Sequence, residues 1–169
     1  MIIPNDLCMM LQEVSETKDR NGLLAAADLA QEYNFHSLYW LLEYFGSSKT
    51  KEWSWIFTGS RKYGTPKPDS DFDWVVFLGH YFQDDWLSQK ADSHTRDTVG
   101  ETSAFGIDYA CRFGPLNVLV VSTTKQYRAW DRGTKNLFKR RPVTREEAVE
   151  EFRRQFRRHS LNTRLSYAY

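Results

Sequence analysis

Apolar residues recur along this chain with two different periods. Over residues 5–16, Leu7, Met10, Leu11 and Val14 fall on one helix face, and Asn5 or Asp6 is placed to cap it. A polar break, Thr17-Lys18-Asp19-Arg20-Asn21-Gly22, follows. Residues 23–33 and 36–45 then predict a helical hairpin. Ala25, Ala26, Ala27 and Ala30 favour helix, and Leu38, Leu41, Leu42 and Phe45 form an apolar stripe. His36, at the start of the second helix, reads as a capping or surface residue. Gly46-Ser47-Ser48 is expected to stop that helix.

The period then shortens to two. Trp53-Ser54-Trp55-Ile56-Phe57-Thr58 predicts a strand that delivers Gly59-Ser60, and residues 61–69 a loop or a short turn of helix. Residues 72–78 predict a second strand, stopped by Gly79. Residues 84–91 suit a helix around Trp86 and Leu87, and 92–104 lack periodicity and predict a surface loop. Residues 105–113 and 116–122 predict a hairpin turning at Gly114-Pro115. The almost wholly apolar Leu116-Asn117-Val118-Leu119-Val120-Val121 suits a central strand covered on both faces. Ser122, Thr123 or Thr124 then caps a helix carrying Tyr127, Trp130, Leu137 and Phe138, with Gly133 expected to break or bend it. Thr144-Arg145-Glu146-Glu147 is a capping box with Val143 and Ala148 as its staple, and the last helix buries Val149, Phe152 and Phe156. The tail from Ser160 is expected to fray. Together these elements predict an α/β (α+β) fold, a mixed sheet flanked by helices.

Charge adds one asymmetry. The formal net charge of the 169 residues is +1, yet residues 1–124 hold ten Lys/Arg against 17 Asp/Glu, and residues 125–169 hold 13 against five. The basic C-terminal region suits either a solvated helix face or an anionic partner such as RNA. Two cysteines, Cys8 and Cys111, are too few for a disulfide framework or a zinc cluster, and Cys111 reads as a small core residue. The four histidines show no metal-ligand spacing. No leader-like start and no run of about 20 apolar residues is present, so a cytoplasmic protein without membrane contact is expected.

The candidate chemistry lies in residues 57–78. In an extended strand alternate side chains share a face, so Asp71 and Asp73 point the same way while Trp74, Val76 and Leu78 occupy the other. Two carboxylates on one face suit a hard cation, Mg²⁺ or Mn²⁺, which is commonly held by one or two carboxylates plus substrate phosphates. Gly59 permits close approach to the backbone, Ser60 offers a hydroxyl, and a helical turn over 60–63 would add its N–H groups. Arg61, Lys62 and Lys67 would neutralise a triphosphate. Such parts suit in-line attack on a nucleoside triphosphate.

The segment Phe57-Thr58-Gly59-Ser60 … Gly64 … Ser70-Asp71-Phe72-Asp73-Trp74-Val75-Val76 resembles the signature of the nucleotidyltransferase superfamily with a DNA polymerase β-like palm. It is most similar to the small, phage-type nucleotidyltransferase-like proteins, whose likeness extends loosely over residues 53–156. The resemblance implies a nucleotidyltransferase-like core over 51–158, an N-terminal helical segment over 1–50 packed on it, and a tail over 159–169. It implies transfer of a nucleoside monophosphate to an RNA, protein or small-molecule acceptor in the cytoplasm. Gly59, Ser60, Arg61, Lys62 and Ser70 would then contact nucleotide, and Asp71 and Asp73 would hold metal.

One position departs from that pattern. A third carboxylate normally stands on a later strand beside the pair, and the matching residue here is Asn117, which can ligate through its carbonyl oxygen but cannot act as a base. Asp108 is the alternative. A tight Gly114-Pro115 turn would pair it with Val121, on the face of Asn117 but two alternate positions further along. Three readings stay open: an active metal-dependent nucleotidyltransferase, a weak or inactive relic that binds nucleotide or a host protein, and a nucleic-acid-binding module using Arg153, Arg154, Arg157 and Arg158.

Overall fold

The change of period after residue 50 becomes a change of layer. The computed structural model describes residues 1–48, 54–64, 66–77, 85–95 and 106–163, with side chains described except at 54, 85, 86 and 157–163. Among these residues the chain forms seven helices and a five-stranded mixed sheet. The strands are β1 (Ser54–Thr58), β2 (Phe72–Phe77), β3 (Ser93–Thr95), β4 (Tyr109–Phe113) and β5 (Leu116–Val121). Their spatial order is β1-β2-β5-β4-β3. The β2–β5 pair is parallel and the other pairs are antiparallel.

Helices α1 (Asn5–Thr17), α2 (Arg20–Glu32) and α3 (His36–Ser47) share one core with the sheet residues Trp55, Phe57, Phe72, Trp74, Val76, Leu116, Val118 and Val120. The short α4 (Ser60–Tyr63), α6 (Thr124–Phe138) and α7 (Arg145–Thr163) share a second core with Ile56, Val75 and Val121. Helix α5 (Asp85–Lys90) adds Leu87 to the first core. The sheet is therefore covered on both faces, and β5 is its middle strand, as its apolar run requires.

The first core is fastened by two tryptophans. Trp55 and Trp74 stack with ring centroids 4.0 Å apart and planes 2° from parallel. Each carries an indole N–H that must find an acceptor once buried. Trp74 donates to the hydroxyl of Ser15 at 2.8 Å, and Trp55 to the Ser15 carbonyl at 3.2 Å. The Ser15 hydroxyl itself donates to the Leu11 carbonyl at 2.6 Å. One small residue on α1 thus registers that helix against two strands.

Several local features differ from the sequence reading. Helix α1 has Pro4 at its cap with no side-chain cap bond, because Asp6 turns to the Leu7 N–H and the Tyr33 hydroxyl. Helix α2 begins at Arg20, earlier than expected, because Asp19 accepts from the Gly22 N–H and so caps it. Helix α3 does end at Gly46-Ser47-Ser48, with Ser48 as its cap, but Gly46 itself is still helical, and an added Cβ there would meet Leu24 at 2.9 Å. That end is bound by Arg20, whose Nε donates to the Gly46 carbonyl at 2.7 Å. Gly133 does not break α6. Its missing side chain admits the Phe152 ring, which a Cβ would meet at 2.6 Å.

Thr123 caps α6 in a capping box with Gln126, and Thr144 with Glu147 forms the box that opens α7. Ser93–Thr95, expected in a loop, pairs with β4 as an edge strand, and Asp92 anchors it by accepting from the Gly114 N–H at 2.7 Å. Trp53, Leu78, Gly79, residues 96–104 and residues 164–169 lie outside the described residues.

Replacing Ser15 with Ala removes the acceptor of a buried indole N–H. Equilibrium denaturation should show a loss of about 1–3 kcal/mol, the cost of a buried unsatisfied donor.

Candidate functional site

The strand register assembles a polar row across one end of the sheet. Thr58 on β1 pairs with Asp73 on β2, Asp73 with Asn117 on β5, Asn117 with Arg112 on β4, and Arg112 with Ser93 on β3. Two residues further along the same face the row reads Ile56, Val75, Leu119 and Ala110, which are apolar, and ends at Thr95 on the edge strand. On the four longer strands polarity is thus concentrated at the end where β1 and β4 finish and β2 and β5 begin.

Asp73 sits at the centre of this row. Its Oδ1 accepts from the Asn117 amide at 3.2 Å. Its Oδ2 lies against Gly59, in the space that a Cβ at that residue would fill. Gly59 also has φ +83°, a left-handed conformation that favours glycine. The close approach that the sequence suggested for a phosphate is therefore made, in this structure, by the Asp73 carboxylate. Burial is the main reason that Asp73 is pushed up from 3.8 to about 6. The Asn117 hydrogen bond and the Arg112 charge oppose that rise, and the Asp71 charge adds to it.

Beneath Asp73 lies a small buried hydroxyl cluster. Thr58 Oγ1 and the Tyr63 hydroxyl are hydrogen-bonded to each other, and Thr134 of α6 donates to Thr58 Oγ1 at 3.2 Å. Burial raises the Tyr63 phenol above its ordinary range, so it stays protonated and serves as a hydrogen-bonding strut.

Asp71, just before β2, is bound to Arg112: Nη2 stands 2.9 Å from Oδ2, with the side chains 38% and 21% exposed. The same guanidinium donates to the Gly114 carbonyl at 3.3 Å. Arg112 is the residue that the sequence reading missed. A Gly114-Pro115 hairpin places it opposite Asn117, so the register carried the signal even though no motif did.

The other candidates have partners of their own. Arg61 donates twice to the Ser70 carbonyl, at 3.1 and 2.8 Å, and lies over the Phe72 ring. The Ser70 hydroxyl accepts from the Lys67 N–H at 2.8 Å. These bonds shape the loop that leads into Asp71. Lys62 pairs with Glu16 of α1 at 2.9 Å and lies over the Phe138 ring. Ser60 opens α4, but the Lys62 and Tyr63 N–H groups of that turn are already bonded to the Gly59 carbonyl. Asp108 accepts from the Gln126 amide at 3.2 Å. Its N–H bonds the Val120 carbonyl, which places it at the level of Val121, about 14 Å along β5 from Asn117. It does not join the row.

The donor set fits a hard cation in part. Asp71 and Asp73 bring two carboxylates into electrostatic reach of each other, and Asn117 brings an amide. Two carboxylates plus substrate phosphate oxygens are a usual complement for Mg²⁺. Among the described residues there is no group of three or more His, Cys, Asp or Glu side chains that could hold a metal ion. Asp71 would also have to exchange its bond to Arg112 for a bond to the metal.

A groove of about 880 Å³ lies elsewhere, between α6 and α7, lined by Asn136, Lys139, Arg140, Glu147, Glu151 and Arg154 among others. Within it Glu151 is paired with Arg154 and also accepts from Asn136 and Gln155. Of the basic residues on α7, Arg154 is thus bound to Glu151, Arg153 is exposed, and the side chains of Arg157 and Arg158 lie outside the described residues. No helix among the described residues is long and apolar enough to cross a membrane.

What the fold and the row define is a mixed α/β protein with a carboxylate-centred polar site at the end of its sheet. No family model, no curated protein and no solved structure matches the chain.

The pH dependence of stability tests the strain at Asp73. Its folded-state pKa lies above the unfolded value, so the folded chain binds this proton more tightly. The associated stability is fully present below pH 3.8 and is lost as pH rises through about 6. Asp73→Asn should therefore be more stable than wild type at pH 7.5. The shift corresponds to about 3 kcal/mol, and because Asp73 keeps a solvent-facing edge the expected gain is about 1–2 kcal/mol. The difference should vanish below pH 4 in paired thermal melts.

Proposed function

We propose that the chain is a nucleotidyltransferase-type protein that binds a nucleoside triphosphate together with Mg²⁺ or Mn²⁺ at the polar end of its sheet. The observation that carries this reading is the pairing of Asp73 with Asn117 across the parallel strands β2 and β5, with Gly59-Ser60 ending the strand on the other side of Asp73. Three adjacent strands thus bring a carboxylate, an amide and a glycine-serine turn to one spot. In the nucleotidyltransferase pattern these are the metal pair, the position of the third acid and the triphosphate turn.

In this reading Asp71 and Asp73 hold the metal, Ser60 and Ser70 face the phosphates, and Gly59 gives its open side to the Asp73 carboxylate. The metal, when bound, neutralises phosphate charge and stabilises the leaving pyrophosphate. Arg61 and Lys67 act by shaping the loop from Ser60 to Asp71, since Arg61 and the Lys67 N–H are bonded within it. Asn117 orients Asp73 through its amide but takes no proton from an acceptor hydroxyl. Transfer to an RNA, protein or small-molecule acceptor is therefore slow, and binding is the stronger activity.

Asn117 also favours a second reading, a nucleotidyltransferase-fold protein without chemistry that binds nucleotide or a protein partner. Pyrophosphate release in the presence of an acceptor distinguishes the two. Nothing observed singles out the third reading, nucleic-acid binding by the basic helix. Its mark would be a steep loss of affinity with salt.

Titration of each labelled nucleoside triphosphate with and without Mg²⁺ or Mn²⁺ tests the proposal. Wild type should bind in a metal-dependent way, and Asp71→Ala/Asp73→Ala should lose roughly tenfold or more in affinity. Binding that is indifferent to metal and to the double substitution would remove the reading.

Asn117→Asp tests the third position. It sets a second carboxylate beside Asp73 and removes the amide donor. Metal-free thermal stability should fall, and Mn²⁺ affinity should rise roughly tenfold. A fall in both would show that position 117 does not face the metal.

A further inference from the structure

Arg112 places a fixed cation where the proposed function needs a metal. It lies in the polar row beside Asn117, its guanidinium is 2.9 Å from Asp71 Oδ2, and its charge also acts on Asp73. One arginine therefore offsets one of the two carboxylate charges from within the fold. It is anchored as well as paired, since Nη1 reaches the Gly114 carbonyl at the hairpin turn. With its side chain 38% exposed, the guanidinium stands at the solvent edge of the site and not beneath it.

We propose that Arg112 is the resident counter-ion of this site and a ligand for the incoming phosphates. Metal-free, it holds Asp71. With a metal–nucleotide complex bound, Asp71 would ligate the metal and Arg112 would turn its guanidinium, whose planar fork suits phosphate as well as carboxylate, to the triphosphate. The metal alone would leave Arg112 facing a second cation without a partner. The nucleotide alone would face two uncompensated carboxylates once Arg112 turned away. Each component therefore binds weakly by itself, and the two bind as a pair with positive coupling, which is reciprocal by linkage. This inference rests on the proposed nucleotide and metal site and assigns to it a residue and an order of events.

Two titrations test it, with Mn²⁺ followed by electron paramagnetic resonance and the α,β-methylene analogue of ATP as the nucleotide probe. In wild type, Mn²⁺ affinity should rise roughly tenfold or more when the analogue is present. In Arg112→Gln, Mn²⁺ alone should bind roughly tenfold tighter than in wild type, because the competing cation is gone. The analogue at saturating Mn²⁺ should bind more weakly, and the coupling should shrink. These changes have opposite signs, which a partly unfolded variant would not produce. Arg112→Lys keeps the charge without the fork, so it should keep weak Mn²⁺ binding and lose nucleotide affinity. If Arg112→Gln leaves Mn²⁺ affinity unchanged while wild type still binds metal and nucleotide through Asp71 and Asp73, the proposal about Arg112 fails and the site stands. If neither protein binds Mn²⁺ with or without the analogue, both fail.

Discussion

The contact between the Asp73 carboxylate and the backbone of Gly59 constrains the whole polar end of the sheet. A side chain at residue 59 would occupy the place of Oδ2, and a positive φ there turns the chain out of β1 and into α4. The turn carries Tyr63 back under the sheet, where its hydroxyl meets Thr58. Asp73 is thereby enclosed between Gly59 on one side and Asn117 on the other. Its raised pKa follows from that enclosure. A carboxylate in such a place costs stability at neutral pH, which a fold tolerates most readily where the group has a task.

The two cores explain why this strained end holds its shape. On one face, the Trp55–Trp74 stack and its bonds to Ser15 fix β1 against β2 and both against α1. Trp74 is the residue after Asp73, and its side chain points the opposite way. Burying the tryptophan therefore presents the carboxylate on the other face. There, Thr134 of α6 reaches the Thr58–Tyr63 cluster, and α6 is itself held by the close fit of Phe152 at Gly133. Helices from both ends of the chain thus support one row of five residues.

Much of the secondary structure was legible in the sequence because its causes are local. The alternation through Trp55-Ile56-Phe57 and Trp74-Val75-Val76, the apolar run after Pro115 and the Thr144 capping box each report on their immediate neighbours. Gly133 was read less well. It looks like a helix breaker when only propensity is considered, yet it is a contact point whose meaning depends on Phe152, as Gly46, in the last turn of α3, also meets Leu24. Ser93–Thr95 became a strand because β4 offered an edge, which no pattern within three exposed residues announces. At the site, the nucleotidyltransferase resemblance, and not strand order, set Asn117 beside Asp73, and the β2–β5 register does pair the two. The partners of Arg61, Lys62 and Arg112 could not be read from a list of basic residues, because they lie up to 46 positions away.

Arg112 changes what the paired carboxylates mean chemically. Asp71 and Asp73 alone would be two like charges at one end of a sheet, and the Asp71 charge adds to the cost of ionising Asp73. With Arg112 paired to Asp71, one carboxylate charge is offset and one is left, and Asn117 adds none. A carboxylate at 117 would add a second unbalanced negative charge beside Asp73. The asparagine and the arginine therefore belong to one solution. Together they limit the unbalanced negative charge that the fold carries at this end of the sheet.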